Sequence, residues 1–247
     1  MKRRAFLAWA GALLLALSSS GALAAEADEC TIPPDLTEIQ AKLPHLSERL
    51  HGKQPVTIVA IGGASTKGSA AGGRELAYPH RMQVALTAMF PDVPFNVVNK
   101  GVSRDTTQQM LDRFATDVFA EDPVLVIWEA GISDAVRGIE VDDFAAALQK
   151  GINEVKNRAI DILLVDMQFS HSTTAVIDFQ RYLQAIHRVG DVNDIYVFPR
   201  FDMMRYWSEQ HMFNFDETTD EERARVAAKV YDCLGRRLAR EIQTVAQ

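Results

Sequence analysis

The feature that most constrains this chain is a repeated alternation. Short β-branched or apolar runs are each followed by a segment with helical spacing. Val56 to Ile61, Phe95 to Val98, Val124 to Trp128, Ile162 to Val165 and Ile195 to Phe198 read as five strands. Between them, Met82, Leu86, Met89 and Phe90 fall on one helical face, as do Leu111, Phe114 and Val118. Phe144, Leu148, Ile152 and Val155 repeat the spacing, then Val176, Phe179, Leu183 and Ile186. Val226, Val230, Leu234, Leu238 and Ile242 line a final helix, with Thr219 or Asp220 as its N-cap. Strands apolar on both sides and separated by helices predict an α/β fold: a flavodoxin-like three-layer sandwich, its parallel five-stranded sheet covered on both faces. In such sheets ligands bind beyond the carboxyl ends of the strands. That rule selects the loops Gly62 to Gly73, Asn99 to Thr106, Glu129 to Gly138 and Met167 to Thr174, together with the approach Phe213 to Asp220.

The first residues set the compartment. Lys2, Arg3 and Arg4 precede the apolar stretch Phe6 to Leu17, and Ala22-Leu23-Ala24 supplies a small-x-small cleavage site. This pattern predicts a signal peptide over 1–24 and a periplasmic or secreted chain. Arg3-Arg4 also fits twin-arginine export, so the route stays open. No later stretch is long and apolar enough for a membrane helix. The remaining residues, 25–247, suit a single domain. Losing three basic residues makes the formal charge of −7 more negative still. That disfavours nucleic acid and anionic lipid surfaces as partners.

Two cysteines, Cys30 and Cys233, stand near the two ends. In an oxidising compartment they read as a disulfide, the alternative being two separate thiols. The six histidines lack paired ligand spacing, so neither a metal nor another cofactor is expected.

Three segments carry a resemblance. Val59-Ala60-Ile61-Gly62-Gly63-Ala64-Ser65-Thr66-Lys67-Gly68 resembles the first block of the SGNH (GDSL) ester hydrolases, Gly-Asp-Ser-x-Thr-x-Gly after a strand. Asn99-Lys100-Gly101-Val102 resembles the second block with its oxyanion-hole glycine, and Ile127 to Asp134 the third, where the family has Gly-x-Asn. Arg200 to Trp207 resembles a segment of an exported bacterial subgroup. The resemblance implies acyl transfer by a serine activated through a His–Asp pair, with the oxyanion held by backbone N–H groups and the asparagine.

Position by position, the catalytic set is largely replaced. With Gly62, Thr66 and Gly68 in the family's places, Ala64 stands at the nucleophile, Gly63 at the aspartate and Ser133 at the asparagine; Gly101 is retained. Where Asp-x-x-His should precede the last helix, Asn214 and Glu217 fall instead. A second register makes Ser65 the nucleophile, with Glu217 or His171 as a relocated base. Asp134, Asp166 and Glu129 offer further carboxylates, read either as an acid–base pair or as caps and partners of Arg137. Three functions remain open: a weakly active or non-catalytic binder of an acylated glycan, lipid or protein partner; a working esterase or deacetylase; and an envelope assembly protein with a vestigial pocket. Oligomeric state is not readable.

Overall fold

The computed structural model describes residues 30–36, 42–171 and 177–245. The predicted signal peptide (1–24) and the helical position Val176 lie outside the described residues. Five strands form one parallel sheet: β1 (Val56–Gly62), β2 (Phe95–Gly101), β3 (Leu125–Glu129), β4 (Asp161–Val165) and β5 (Val197–Phe198), in the order β2-β1-β3-β4-β5. The register aligns the strand ends. Gly62 pairs with Gly101, Ile61 with Trp128, Glu129 with Val165 and Val165 with Phe198. The loops that follow therefore start at one level.

The helices are α1 (Pro44–His51), α2 (Ala64–Lys67), α3 (Tyr78–Met89), α4 (Thr107–Asp112), α5 (Phe114–Asp117), α6 (Ile132–Arg137), α7 (Val141–Lys156), α8 (Phe179–Val192), α9 (Arg200–Glu209) and α10 (Asp220–Val245). The chain moves one way from β1 to β2 and the other way from β3 to β5. With right-handed crossovers, that reversal puts the helices on opposite faces. Accordingly α3 packs against α10, while α4, α7 and α8 form a second group. β1, β3 and β4 are buried almost throughout, as their doubly apolar sequences require.

Helix α10 begins as its sequence expects. The Thr219 hydroxyl accepts from the Glu222 backbone N–H (3.2 Å) and donates to the Glu222 carboxylate (2.6 Å), an N-cap that fixes the N-terminus. Val230, Leu234, Leu238 and Ile242 are buried along one face. Cys233 on that face is bonded to Cys30. The lead-in is held further by Trp207, whose indole N–H donates to the Thr31 carbonyl at 3.0 Å.

One buried acid on α10 makes stability depend on pH. Glu241 accepts from the Tyr196 hydroxyl and from Arg237, each at 3.3 Å. Burial nevertheless pushes its carboxyl from 4.5 up to about 7. A raised folded pKa means the folded state binds the extra proton. The associated stability is thus full below about pH 4.5 and is lost as pH rises through about 7. Thermal midpoints of the wild type and Glu241→Gln, followed from about pH 5 to about pH 8, are expected to converge at the acid end, with the wild type falling more steeply. Parallel curves would refute this assignment.

Candidate functional site

At the carboxyl edge of the sheet, β1 runs through Gly62 and Gly63 directly into α2, a single turn of helix. This turn sits extraordinarily close to β2. A Cβ on Gly101 would lie 2.2 Å from the Lys67 nitrogen and 2.7 Å from the Thr66 carbonyl carbon, so only glycine admits α2 there. Asn99 ties the same contact. Its amide donates to the Thr66 carbonyl (2.6 Å) and its oxygen accepts the Gly101 N–H (2.9 Å). The Gly101 N–H is thereby engaged within the protein, behind α2.

The turn splits Ala64 and Ser65 onto different sides. Ala64 is exposed, whereas Ser65 is buried. The Ser65 hydroxyl donates to the Gln168 side-chain oxygen at 2.8 Å and lies near the Tyr231 hydroxyl. Burial raises the Tyr231 pKa, which keeps that hydroxyl protonated. Thr66, on the inner side, hydrogen-bonds through its hydroxyl to Tyr78 and to Glu129, and its backbone N–H donates to Glu129 at 3.0 Å.

Glu129 ends β3 and is one half of a buried ion pair, 3.2 Å from Arg200 at the start of α9. The two side chains are 5% and 1% exposed. Its partner is thus Arg200, not Arg137. The other strand-end carboxylates behave as caps. Asp134 accepts from the backbone N–H and the hydroxyl of Thr107 at the start of α4 (3.1 and 2.9 Å). Asp166 accepts the Phe201 N–H at 2.8 Å and pairs with His187 at 3.2 Å. Desolvation raises both carboxyls, and the Asp166 hydrogen bond raises His187.

Two clefts flank Gln168. The first, of about 220 Å³, is walled by Gly63, Ala64 and Ser65 from α2 and its cap, and by Gly131, Ile132 and Ser133 from the start of α6. Arg104, Asp105 and Arg137 complete it. The second, of about 240 Å³, includes Phe169, Asn214, Phe215 and Tyr231. In the first, the oxyanion-side candidates Gly63, Ala64 and Ser133 meet. Gly101 stands behind α2, and Asn214 lies at the second cleft, where its side chain accepts the Asp216 N–H at 3.0 Å. Glu217 is on the same loop, its backbone carbonyl accepting from Arg223 at 3.3 Å. His171 pairs with Asp216 at 3.2 Å, with side chains 53% and 66% exposed. Among the described residues, no group of three or more His, Cys, Asp or Glu could hold a metal, and no helix is long and apolar enough to cross a membrane.

Sequence reasoning missed Gln168, Tyr231 and Arg104. For Gln168 and Tyr231 no local pattern points to Ser65, since the contacts join residues far apart in the chain. Arg104 adopts φ 71°, a left-handed conformation that a non-glycine residue rarely takes. Nothing in Ser103-Arg104-Asp105 signals it.

A parallel β2-β1-β3-β4-β5 sheet with a one-turn helix straight after β1, and a cleft between that turn and the start of α6, defines an SGNH-type α/β fold. The profile of the Non-GDSL lipase-like family matches residues 29–247, and the chain belongs to that family. No curated protein matches the chain by sequence. Solved structures share its fold. A G-D-S-L family lipolytic protein from Desulfitobacterium hafniense DCB-2 is 20% identical with a TM-score of 0.57, over 75% of this chain and 99% of that one. An acetylxylan esterase from Geobacillus stearothermophilus, solved as a catalytic mutant, is 19% identical with a TM-score of 0.61, over 76% and 94%. A two-domain esterase active on acetylated mannans is 18% identical with a TM-score of 0.63, over 84% of this chain. This chain spans 54% of that larger protein.

Proposed function

We propose that this protein is an exported, non-hydrolysing relative of the SGNH esterases, which uses the cleft beside α2 to hold an acyl-bearing ligand such as an acylated envelope glycan or a lipid. The wiring of Ser65 carries this reading. A serine hydroxyl becomes a nucleophile when a base takes its proton. Here the proton goes to an amide oxygen, Gln168, which is no base, and the other neighbour is a protonated phenol, Tyr231. Ala64, the exposed residue beside Ser65 on the cleft wall, offers a methyl group. That solved esterases of this fold act on acetylated xylan and mannan supports an acyl-bearing ligand.

The His171–Asp216 pair favours a second reading, in which His171 serves Ser65 as a relocated base. The two readings part on one experiment. Losing the serine of a working triad lowers turnover about a millionfold. Purified wild type, Ser65→Ala and His171→Ala are expected to release p-nitrophenol from acetate and octanoate esters at the same background rate. A rate that falls with either substitution would overturn the non-hydrolysing reading and establish the second.

A further inference from the structure

The first cleft carries an unusual charge arrangement for a site that would accept a neutral ester. Four ionisable side chains line it: Arg104, Asp105, Glu129 and Arg137. Both carboxylates have an arginine partner, Arg113 being shared between Asp105 and Asp117. Asp105 accepts from Arg113 at 2.9 Å, and Glu129 faces Arg200 at 3.2 Å. Neither cleft arginine is paired with a carboxylate among the described residues. Arg137 donates to the Arg104 carbonyl at 2.8 Å and to the Gln109 side chain at 3.5 Å, so it braces the Arg104 turn rather than neutralising an acid. The cleft therefore holds two arginines without a carboxylate partner among the described residues, beside an Asp105 that shares Arg113 with Asp117.

The rest of the wall is mostly apolar, with Ala64, Met110, Ala130, Ile132 and Val136 interrupted by Ser65, Ser133 and Gln168. Val136 is an exposed hydrophobic side chain on that wall. A volume of about 220 Å³ has room for about seven water-sized groups at roughly 30 Å³ each. That matches a small head group with a tail of about five carbons, the end of a longer tail reaching out of the open cleft. Arg104 is held at φ 71°, and strained backbone persists at sites where the surrounding structure has a use for it.

We propose that the cleft is a receptor for a medium-chain acyl carboxylate, the anion that ester hydrolysis would release, with Arg104 as its principal charge partner. This deepens the binding role assigned above and rests on it. The methyl of Ala64 removes the nucleophile, and Arg104 and Arg137 supply the attraction that a neutral ester does not use. A guanidinium fork matches a carboxylate with two parallel hydrogen bonds, while the apolar wall takes the tail.

Calorimetric titration of the purified protein at low ionic strength tests this, with sodium octanoate, methyl octanoate, sodium acetate and galacturonate as probes. Octanoate is expected to bind at least tenfold more tightly than the neutral ester and than acetate, and to raise the melting temperature with the logarithm of its concentration above the dissociation constant. Arg104→Gly suits a left-handed position and should keep the fold, which circular dichroism checks; it is expected to weaken octanoate at least tenfold. Arg137→Gln should weaken it less. Equal affinity for octanoate and its methyl ester would overturn the proposal, as would undiminished octanoate binding by Arg104→Gly. Binding of galacturonate in preference to octanoate would overturn it too. Ser65-dependent ester turnover is a separate outcome. It would remove the non-hydrolysing reading, whereas failure of octanoate to bind removes only the carboxylate assignment.

Discussion

Arg200→Met is expected to destabilise the fold by about 3–5 kcal/mol, because it strands a carboxylate that has been taken out of water. The Arg200 side chain is 1% exposed and faces Glu129, itself 5% exposed, at 3.2 Å. The guanidinium nitrogens make no hydrogen bond among the described residues, so Arg200 contributes mainly as a charge. Glu129 differs, since it also accepts from the backbone N–H and hydroxyl of Thr66. Removing the arginine leaves that carboxylate buried with only those two donors. Replacing both partners, Arg200→Met with Glu129→Leu, removes the charge problem and is expected to cost clearly less than Arg200→Met alone. Chemical denaturation of the wild type, both single variants and the double variant closes the cycle. An Arg200→Met protein within about 1 kcal/mol of wild type would show that the pair is not coupled as described. The same pair reaches the site. Glu129 holds Thr66, and Thr66 sits in the turn that presents Ala64 to the cleft and Ser65 to Gln168. Arg200→Met should therefore also weaken whatever the cleft binds.

The architecture was legible because its cause is local. Runs such as Ile58 to Ile61 and Leu125 to Trp128 are apolar at every position, which fits a strand buried on both faces. The helical faces on α7, α8 and α10 follow the same logic. The boundaries were less readable. β2 continues to Gly101 through Asn99 and Lys100, polar residues that follow β1 in register, while β5 is cut to Val197–Phe198. Ile195 was expected in that strand, but its N–H donates to the Gly190 carbonyl at the end of α8, so it belongs to the turn. The glycine-rich turn at Gly62-Gly63 and the loss of a hydroxyl at Ala64 could be read directly. The wiring of Ser65 could not, because Gln168 lies 103 residues away and Tyr231 on the last helix. The same holds for Glu129, for which Arg137 is the nearer arginine in sequence. Only the register of β3 against β4 and the start of α9 show why Arg200 is the one that reaches it.

Removing the Cys30–Cys233 disulfide is the other change expected to act strongly, through the unfolded chain more than the folded one. The bridge spans 203 residues. For a loop of that length the chain-entropy account gives about 5 kcal/mol, and measured losses run nearer 2–5 kcal/mol. The folded state keeps other ties to hold the same ends. Ile32 is buried, the Trp207 indole holds Thr31, and Val230, Leu234, Leu238 and Ile242 keep α10 packed. The Cys30→Ala/Cys233→Ala protein is therefore expected to fold with an unchanged far-ultraviolet circular dichroism spectrum but to melt lower. Its denaturant midpoint should fall, and its dependence on denaturant should steepen, since an unbridged chain exposes more surface when it opens. An unchanged midpoint would mean that the bridge does not stabilise the fold by restricting the unfolded chain. The consequence for the site is specific. Tyr231 stands two residues before Cys233 with its hydroxyl near Ser65, so fraying of that part of α10 in the bridge-free protein would loosen the surroundings of Ser65. Hydrogen exchange at Tyr231 and its neighbours should accelerate before that of β1 and β3.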